Sequence, residues 1–285
     1  MRRRCGTMAA HMRLLEDHAP FRARQARLEL ATARRRSALA VAARPPLVTV
    51  DVVVNVVHRT AGQELADAQV KSQIAVLNRD FAAKNADRKK VPEPWKGLVT
   101  DSRVRFKLAK ITRTKTTRSS FPTDDSVKRA SGGGAPPFDP ATHLNLWVCA
   151  LSGGVLGYAQ FPGGPEVTDG VVIDYRAFGT KGTAEAPFDL GRTATHEVGH
   201  YLNLRHIWGD TEDCSGTDFV ADTPNAAGPN YGTPSFPSVS CGNGPNGDMF
   251  MNYMDYVDDA AMVLFTAQQV LRMRTALDEA RPELR

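Results

Sequence analysis

Three histidines and a glutamate stand close together in Thr193-Ala-Thr-His-Glu-Val-Gly-His-Tyr-Leu-Asn-Leu-Arg-His206. His196 and His200 are four apart, so on a helix they lie one turn apart on one face, where two imidazoles can grip one metal ion. Glu197 lies between them, placed to reach a metal-bound water without being a ligand. On an unbroken helix His206 would sit roughly 280° round from His196 and about 15 Å along the axis. It joins the pair only if the helix stops near Asn203 and the chain folds back. Asn is the residue after glycine most at ease in the left-handed conformation that ends helices.

The donor set suits zinc. Three neutral imidazoles leave a fourth position for water, as in a catalytic site and unlike a closed structural one. Zinc lowers that water's pKa, and Glu197 can take its proton and pass it to a leaving amine. The plainer alternative, a surface helix with scattered histidines, fits poorly with three of seven histidines falling within eleven residues. The other four, His11, His18, His58 and His143, show no ligand spacing and read as structural or surface residues.

The elements that must hold this site can be read from periodicity. Leu47 to His58 is dense in valine and reads as a buried strand. Val70, Ile74, Leu77 and Phe81 recur on one face of a helix between about 67 and 85. Val104, Phe106 and Leu108 alternate with basic residues, as in a strand with one wet face. Leu144 to Cys149 and Val171 to Tyr175 read as further strands, and Tyr158 to Phe161 as an edge strand ending at Pro162. Cys149, in an apolar strand, reads as a buried free thiol. Residues 207–265 are rich in Gly, Pro, Asp and Asn, an irregular stretch whose order calls for metal ions or a disulfide. It ends at Thr266-Ala-Gln-Gln269, a capping box, ahead of a helix carrying Val270, Met273 and Leu277 on one face. Leu14 to about Ala43 reads as one or two exposed helices, and Arg44-Pro45-Pro46 as a boundary.

His196 to His206 resembles the metzincin signature HExxHxxGxxH, and Asn252-Tyr-Met-Asp-Tyr256 resembles the Met-turn that lies beneath the zinc in that clan. Within the clan, His206-Ile-Trp-Gly-Asp210, Ala221-Asp-Thr-Pro-Asn225 and Met251 to Tyr256 look most like the pappalysin family, its ulilysin-type members in particular. Asn203 departs from the pattern, standing where most members have glycine. The resemblance implies an α+β metzincin-type catalytic domain: a mixed twisted sheet with a backing helix and an active-site helix above the cleft, then an irregular lower subdomain with a C-terminal helix. It implies a basic helical pro-segment at 1–46 and a catalytic domain at 47–285, divided at about 203/204 into upper and lower subdomains. Arg34 to Arg36 and Arg44 offer sites for removing the segment.

The same resemblance assigns roles. His196, His200 and His206 hold zinc, Glu197 is general base and acid, and Tyr256 supports the oxyanion, an aromatic packed under the cleft being the alternative. Met254 is structural. Cys214 and Cys241 form a disulfide closing about 28 residues, worth about 3.5 kcal/mol on the chain-entropy estimate. The partners of a second family disulfide fall at Thr233 and Ala261 and are both missing. Arg4-Cys5-Gly6-Thr7 resembles a cysteine motif of family pro-segments, so Cys5 would fill zinc's fourth position and keep the zymogen latent. Asp210, Asp213, Asp218, Asp222 and Thr223 form an oxygen-rich stretch suited to calcium, with Asp218 and Thr223 the residues carried over from the family; a solvated acidic loop is the alternative. The strand near Leu156 to Phe161 would pair with an extended protein or peptide substrate. Relatives preferring a basic residue after the scissile bond have an acid beyond the Met-turn; Asp258 and Asp259 lie there, but the matching position is Ala260.

Composition sets bounds on partners. The 285 residues are 42% hydrophobic and 24% charged, with no apolar run long enough to span a membrane. Net charge is +5, but residues 1–46 hold 11 Arg against 3 acids (+8), leaving 25 basic and 28 acidic residues (−3) beyond. An arm so basic could bind nucleic acid. Its only aromatic is Phe21, and ahead of an acidic domain it reads better as a segment held against that domain than as a nucleic-acid arm. No signal peptide is legible; because the family is mostly secreted, the numbering is expected to begin after a removed one. The expected function is a secreted, latent zinc endopeptidase; the alternative is a zinc-bearing binding module without turnover, against which Glu197 argues. Natural substrate and oligomeric state are left open.

Overall fold

The computed structural model describes residues 4–38 and 45–284; the candidate cut at Arg44 lies outside them. Helices α1 (Thr7–Asp17) and α2 (Ala19–Ala38) come first, followed by β1 (Val48–His58), α3 (Asp67–Phe81), β2 (Val104–Lys115), β3 (His143–Cys149), β4 (Gly157–Ala159) and β5 (Val171–Asp174). The sheet runs in the order β2-β1-β3-β5-β4; all neighbours are parallel except β4, which pairs antiparallel with β5 and forms an edge. Parallel strands are covered on both faces and so read as near-continuous apolar runs; Val50, Val52, Val54 and Val56 of β1 are buried with Val53 and Val57. The face of α3 predicted from Val70, Ile74, Leu77 and Phe81 packs into the main core.

Helix α4 (Arg192–Tyr201) carries the histidines and is buried along its whole length. Its N-terminus is stabilised by Asp259, whose Oδ2 accepts the Leu190 and Arg192 amides at 2.9 and 3.1 Å. Asp259 is fully buried in this cap. After α4 the chain is irregular, with only the short β6 (Tyr231–Gly232) and β7 (Tyr256–Val257) before α5 (Ala267–Glu279). The predicted capping box forms, Thr266 accepting from the Gln269 amide. Cys214 and Cys241 are bonded across the irregular region, and Cys149 is a buried free thiol.

The exposed character expected of the first helices is corrected. Phe21, Gln25, Leu28 and Thr32 of α2 are buried, a stripe at spacings of four, three and four that the intervening arginines conceal. Arg35, read as exposed, pairs with Asp278 and Glu279 of α5.

Candidate active site

The chain ends α4 as the spacing requires. Asn203 adopts φ +74°, and the Leu204 amide reaches back to the Gly199 carbonyl at 2.9 Å, a helix-ending reversal. His206 is thereby returned to its partners. The Nε2 atoms of His196, His200 and His206 lie 3.1, 3.1 and 3.3 Å apart. Tetrahedral zinc with Zn–N bonds near 2.0–2.1 Å would set its nitrogens about 3.3 Å apart, so the triangle fits that ion.

Each ring is oriented through its other nitrogen. His196 Nδ1 donates to the Tyr253 carbonyl (2.7 Å), His200 Nδ1 to the Leu204 carbonyl (2.8 Å) and His206 Nδ1 to Asp210 (2.5 Å). That assignment leaves every Nε2 lone pair free for a metal. Burial, first of all, pushes the His200 pKa well down, holding it neutral as a ligand must be. The indole of Trp208 stacks on His206 with planes 5° apart and 4.4 Å between centroids, a support that motif reading did not single out. Met254 is buried, and its sulfur packs against Gly199 so closely that a Cβ there would lie 2.5 Å away.

Cys5 supplies a fourth donor. Its Sγ is 3.6 Å from His200 Nε2 and 3.5 Å from Glu197 Oε2. Among the described residues, Cys5 and the three histidines are the one group of three or more His, Cys, Asp or Glu side chains gathered closely enough to hold a metal ion. The segment bearing Cys5 lies along β4 in parallel, with Gly6 N donating to Gly157 O and Leu156 N to Arg4 O, both at 2.9 Å. Thr7, absent from the sequence-based candidates, donates its hydroxyl to Glu197 Oε2 at 2.6 Å and accepts from the Ala159 amide at 2.8 Å. A Gly-Thr pair after a cysteine was the only available signal for it.

Tyr256 lies beside this cluster, its ring 4.9 Å from His206 and 4.7 Å from Trp208. Burial and the nearby Cys5, Asp210 and Glu197 push its phenol pKa up, so it is a proton-bearing donor.

The oxygen-rich stretch is not one cage of carboxylates. Asp210 is committed to His206, Asp213 to a turn with Ser215, and Asp222 to Thr266 and the Gln268 amide of α5. Asp218 and Thr223 do meet, with Thr223 Oγ1 donating to Asp218 Oδ2 at 2.7 Å. Burial raises the Asp218 pKa to about 7.

Residues 138–278 match the family described as pregnancy-associated plasma protein-A. An extracellular metalloprotease of Arthroderma benhamiae is 31% identical over 79% of this chain and 76% of its own. One from Verticillium alfalfae is 35% identical over 78% and 72%. Among solved structures, mature mirolysin of Tannerella forsythia in complex with a cleaved peptide is 46% identical, covering 85% of this chain and 98% of its own at a TM-score of 0.82. A promirolysin mutant from the same organism is 42% identical over 99% and 97%, at 0.86.

Proposed function

Because this chain belongs to the pappalysin family of zinc metalloendopeptidases, we propose that His196, His200 and His206 hold its zinc and that Glu197 is its general base. The carrying observation is the convergence of three oriented Nε2 atoms 3.1–3.3 Å apart with the Glu197 carboxylate beside them. Zinc held there supplies Lewis-acid polarisation at the reacting centre. Glu197 takes the proton of the attacking water and delivers it to the leaving amine. Tyr256, still protonated, donates to the developing oxyanion. Met254 and Trp208 hold the imidazoles in place by packing.

Residues 1–46 form the pro-segment of this enzyme and 47–285 its catalytic domain. Mature mirolysin covers less of the chain than promirolysin does, which supports that division. Latency acts at two points: Cys5 takes the fourth ligand position, and Thr7 holds the carboxylate of the general base. Removal clears β4, whose edge then accepts an extended peptide by strand pairing. The peptide bound to mature mirolysin supports this class of substrate. The extracellular relatives and the Cys214–Cys241 bond support action outside the cell. Asp218 and Thr223 contribute to a calcium site completed by backbone carbonyls, a chemistry suited to a buried carboxylate without a bonded cation. A basic-residue preference finds no support at Asp259, which caps α4.

An intact-mass time course on the full chain tests the assignment, beside Glu197→Ala and Cys5→Ser. The unchanged chain should shed its first forty-odd residues, Glu197→Ala should stay whole, and Cys5→Ser should be processed sooner. Equal shedding by Glu197→Ala in purified protein would overturn the role of Glu197.

A further inference from the structure

Glu29, midway along α2, reaches into a basic recess next to the zinc site. Arg272 of α5 grips its carboxylate with both terminal nitrogens, at 2.8 and 2.7 Å, and Asn203 Nδ2 lies 3.5 Å from it. The Arg272 side chain is only 2% exposed, and its Nε is already committed to the Asn203 carbonyl. Arg205 adds a second guanidinium, half-buried, whose Nε has no hydrogen-bond partner. Burial alone would raise the Glu29 carboxyl; Arg272, Arg205 and Asn203 together hold it below its usual pKa.

The recess is walled by Phe219, whose ring lies 4.9 Å from the Arg205 guanidinium and 5.8 Å from that of Arg272. Phe219 holds φ +60° while 45% exposed, a conformation that a bulky residue adopts only when its surroundings impose it. The Asp218 and Thr217 side chains impose it by accepting the Val220 and Phe219 amides. Among the described residues, no carboxylate of the catalytic domain pairs with either arginine at ion-pair distance; Asp210 and Asp218 act on them only through space. The recess borders the loop that carries the third histidine, Arg205 standing directly before His206. Asn203 is three residues past His200, and His11 bridges from Phe161, itself 5.6 Å from the His200 ring, to Phe21 of α2.

We infer that Arg272, Arg205 and Asn203 form an anion subsite of the processed enzyme, walled by Phe219 and filled by Glu29 in the latent form, that takes an acidic side chain of the protein substrate. The inference rests on the peptidase reading above. With α2 gone, two guanidiniums and an amide remain beside the metal-site loop with no paired carboxylate among the described residues, and a fork built for one acid side chain accepts another. The pro-segment is thus a competitor at this subsite as well as at the metal.

The test uses enzyme processed from the full chain and a fluorogenic peptide it cuts. Glu or Gln is placed at one position at a time, four residues to either side of the cut, and both kcat/KM and the Kd from fluorescence anisotropy are read. At one position Glu should be favoured over Gln by about five- to tenfold, through KM and Kd, and the margin should shrink as salt is raised. Arg205→Gln and Arg272→Gln should each abolish that margin, whereas Arg272→Lys should keep part of it. Arg272 also supports Asn203, so the Arg205 variant decides if the Arg272 variants fold poorly. Equal values for Glu and Gln at every position, or a margin unchanged in Arg205→Gln, would overturn the subsite and leave Glu29 as an anchor alone. Failure to cut any peptide would count against the peptidase reading instead, and the Kd pairs would still decide the subsite.

Discussion

At the scale of single residues, the proposed role of Glu197 predicts that metal binding and turnover separate. Glu197→Gln should retain stoichiometric zinc by elemental analysis while peptide hydrolysis by the processed enzyme falls by about 10²–10⁴, the usual worth of a general base. Asp218 is expected to contribute to the pH dependence of stability instead. Its folded pKa, raised by burial to about 7, lies above the unfolded value, so its contribution is full in acid and is lost as pH rises through 7. In calcium-free buffer the thermal midpoint should fall between about pH 4 and pH 7 and level off above, less so in Asp218→Asn, and added calcium should remove the difference. Differential scanning fluorimetry across that range decides it; a loss identical in both proteins would rule Asp218 out as the cause. The histidines were legible because their spacing needs only one turn of helix and one reversal. Thr7 and Glu29 were not, because their meaning depends on which surface the pro-segment docks against, and periodicity carries no trace of that.

Elements add constraints that no motif states. Helix α4 is a good helix only by virtue of its surroundings: a buried acid caps it, and Gly199 admits Met254. Gly199→Ala gains about 1 kcal/mol of helix propensity. It also forces a Cβ to within 2.5 Å of a buried sulfur, and overpacking at about 1–3 kcal/mol wins. Chemical denaturation should show a net loss, with weaker zinc retention on dialysis. At the helix end, Asn203→Val should cost about 1–2 kcal/mol for its left-handed backbone, whereas Asn203→Gly should fold as well as the parent. Strands β1, β2, β3 and β5 and helix α3 were readable from runs and stripes. The buried face of α2 escaped because Phe21, Gln25, Leu28 and Thr32 are interspersed with arginines, and α5 hid a buried Arg272 beside its apolar stripe.

The whole molecule is a sheet-backed upper half and an irregular lower half joined by α4. The lower half has few regular hydrogen bonds and relies on Cys214–Cys241, 27 residues apart in sequence. Cys214→Ser with Cys241→Ser should lower stability by about 3.5 kcal/mol on the chain-entropy estimate. Limited proteolysis should then cut first between the two positions, while the sheet survives. The upper half has its own exposure to manage. In the latent form the segment containing Cys5 pairs with β4, so that edge is covered beside the cleft. Processing uncovers it, and an uncovered edge is a template for any extended chain, another copy of the enzyme included. Strand β4 is three residues long, enough to seat a peptide for cutting and too short to nucleate a growing stack. The latent form therefore keeps that edge paired, and processing exposes only a three-residue edge.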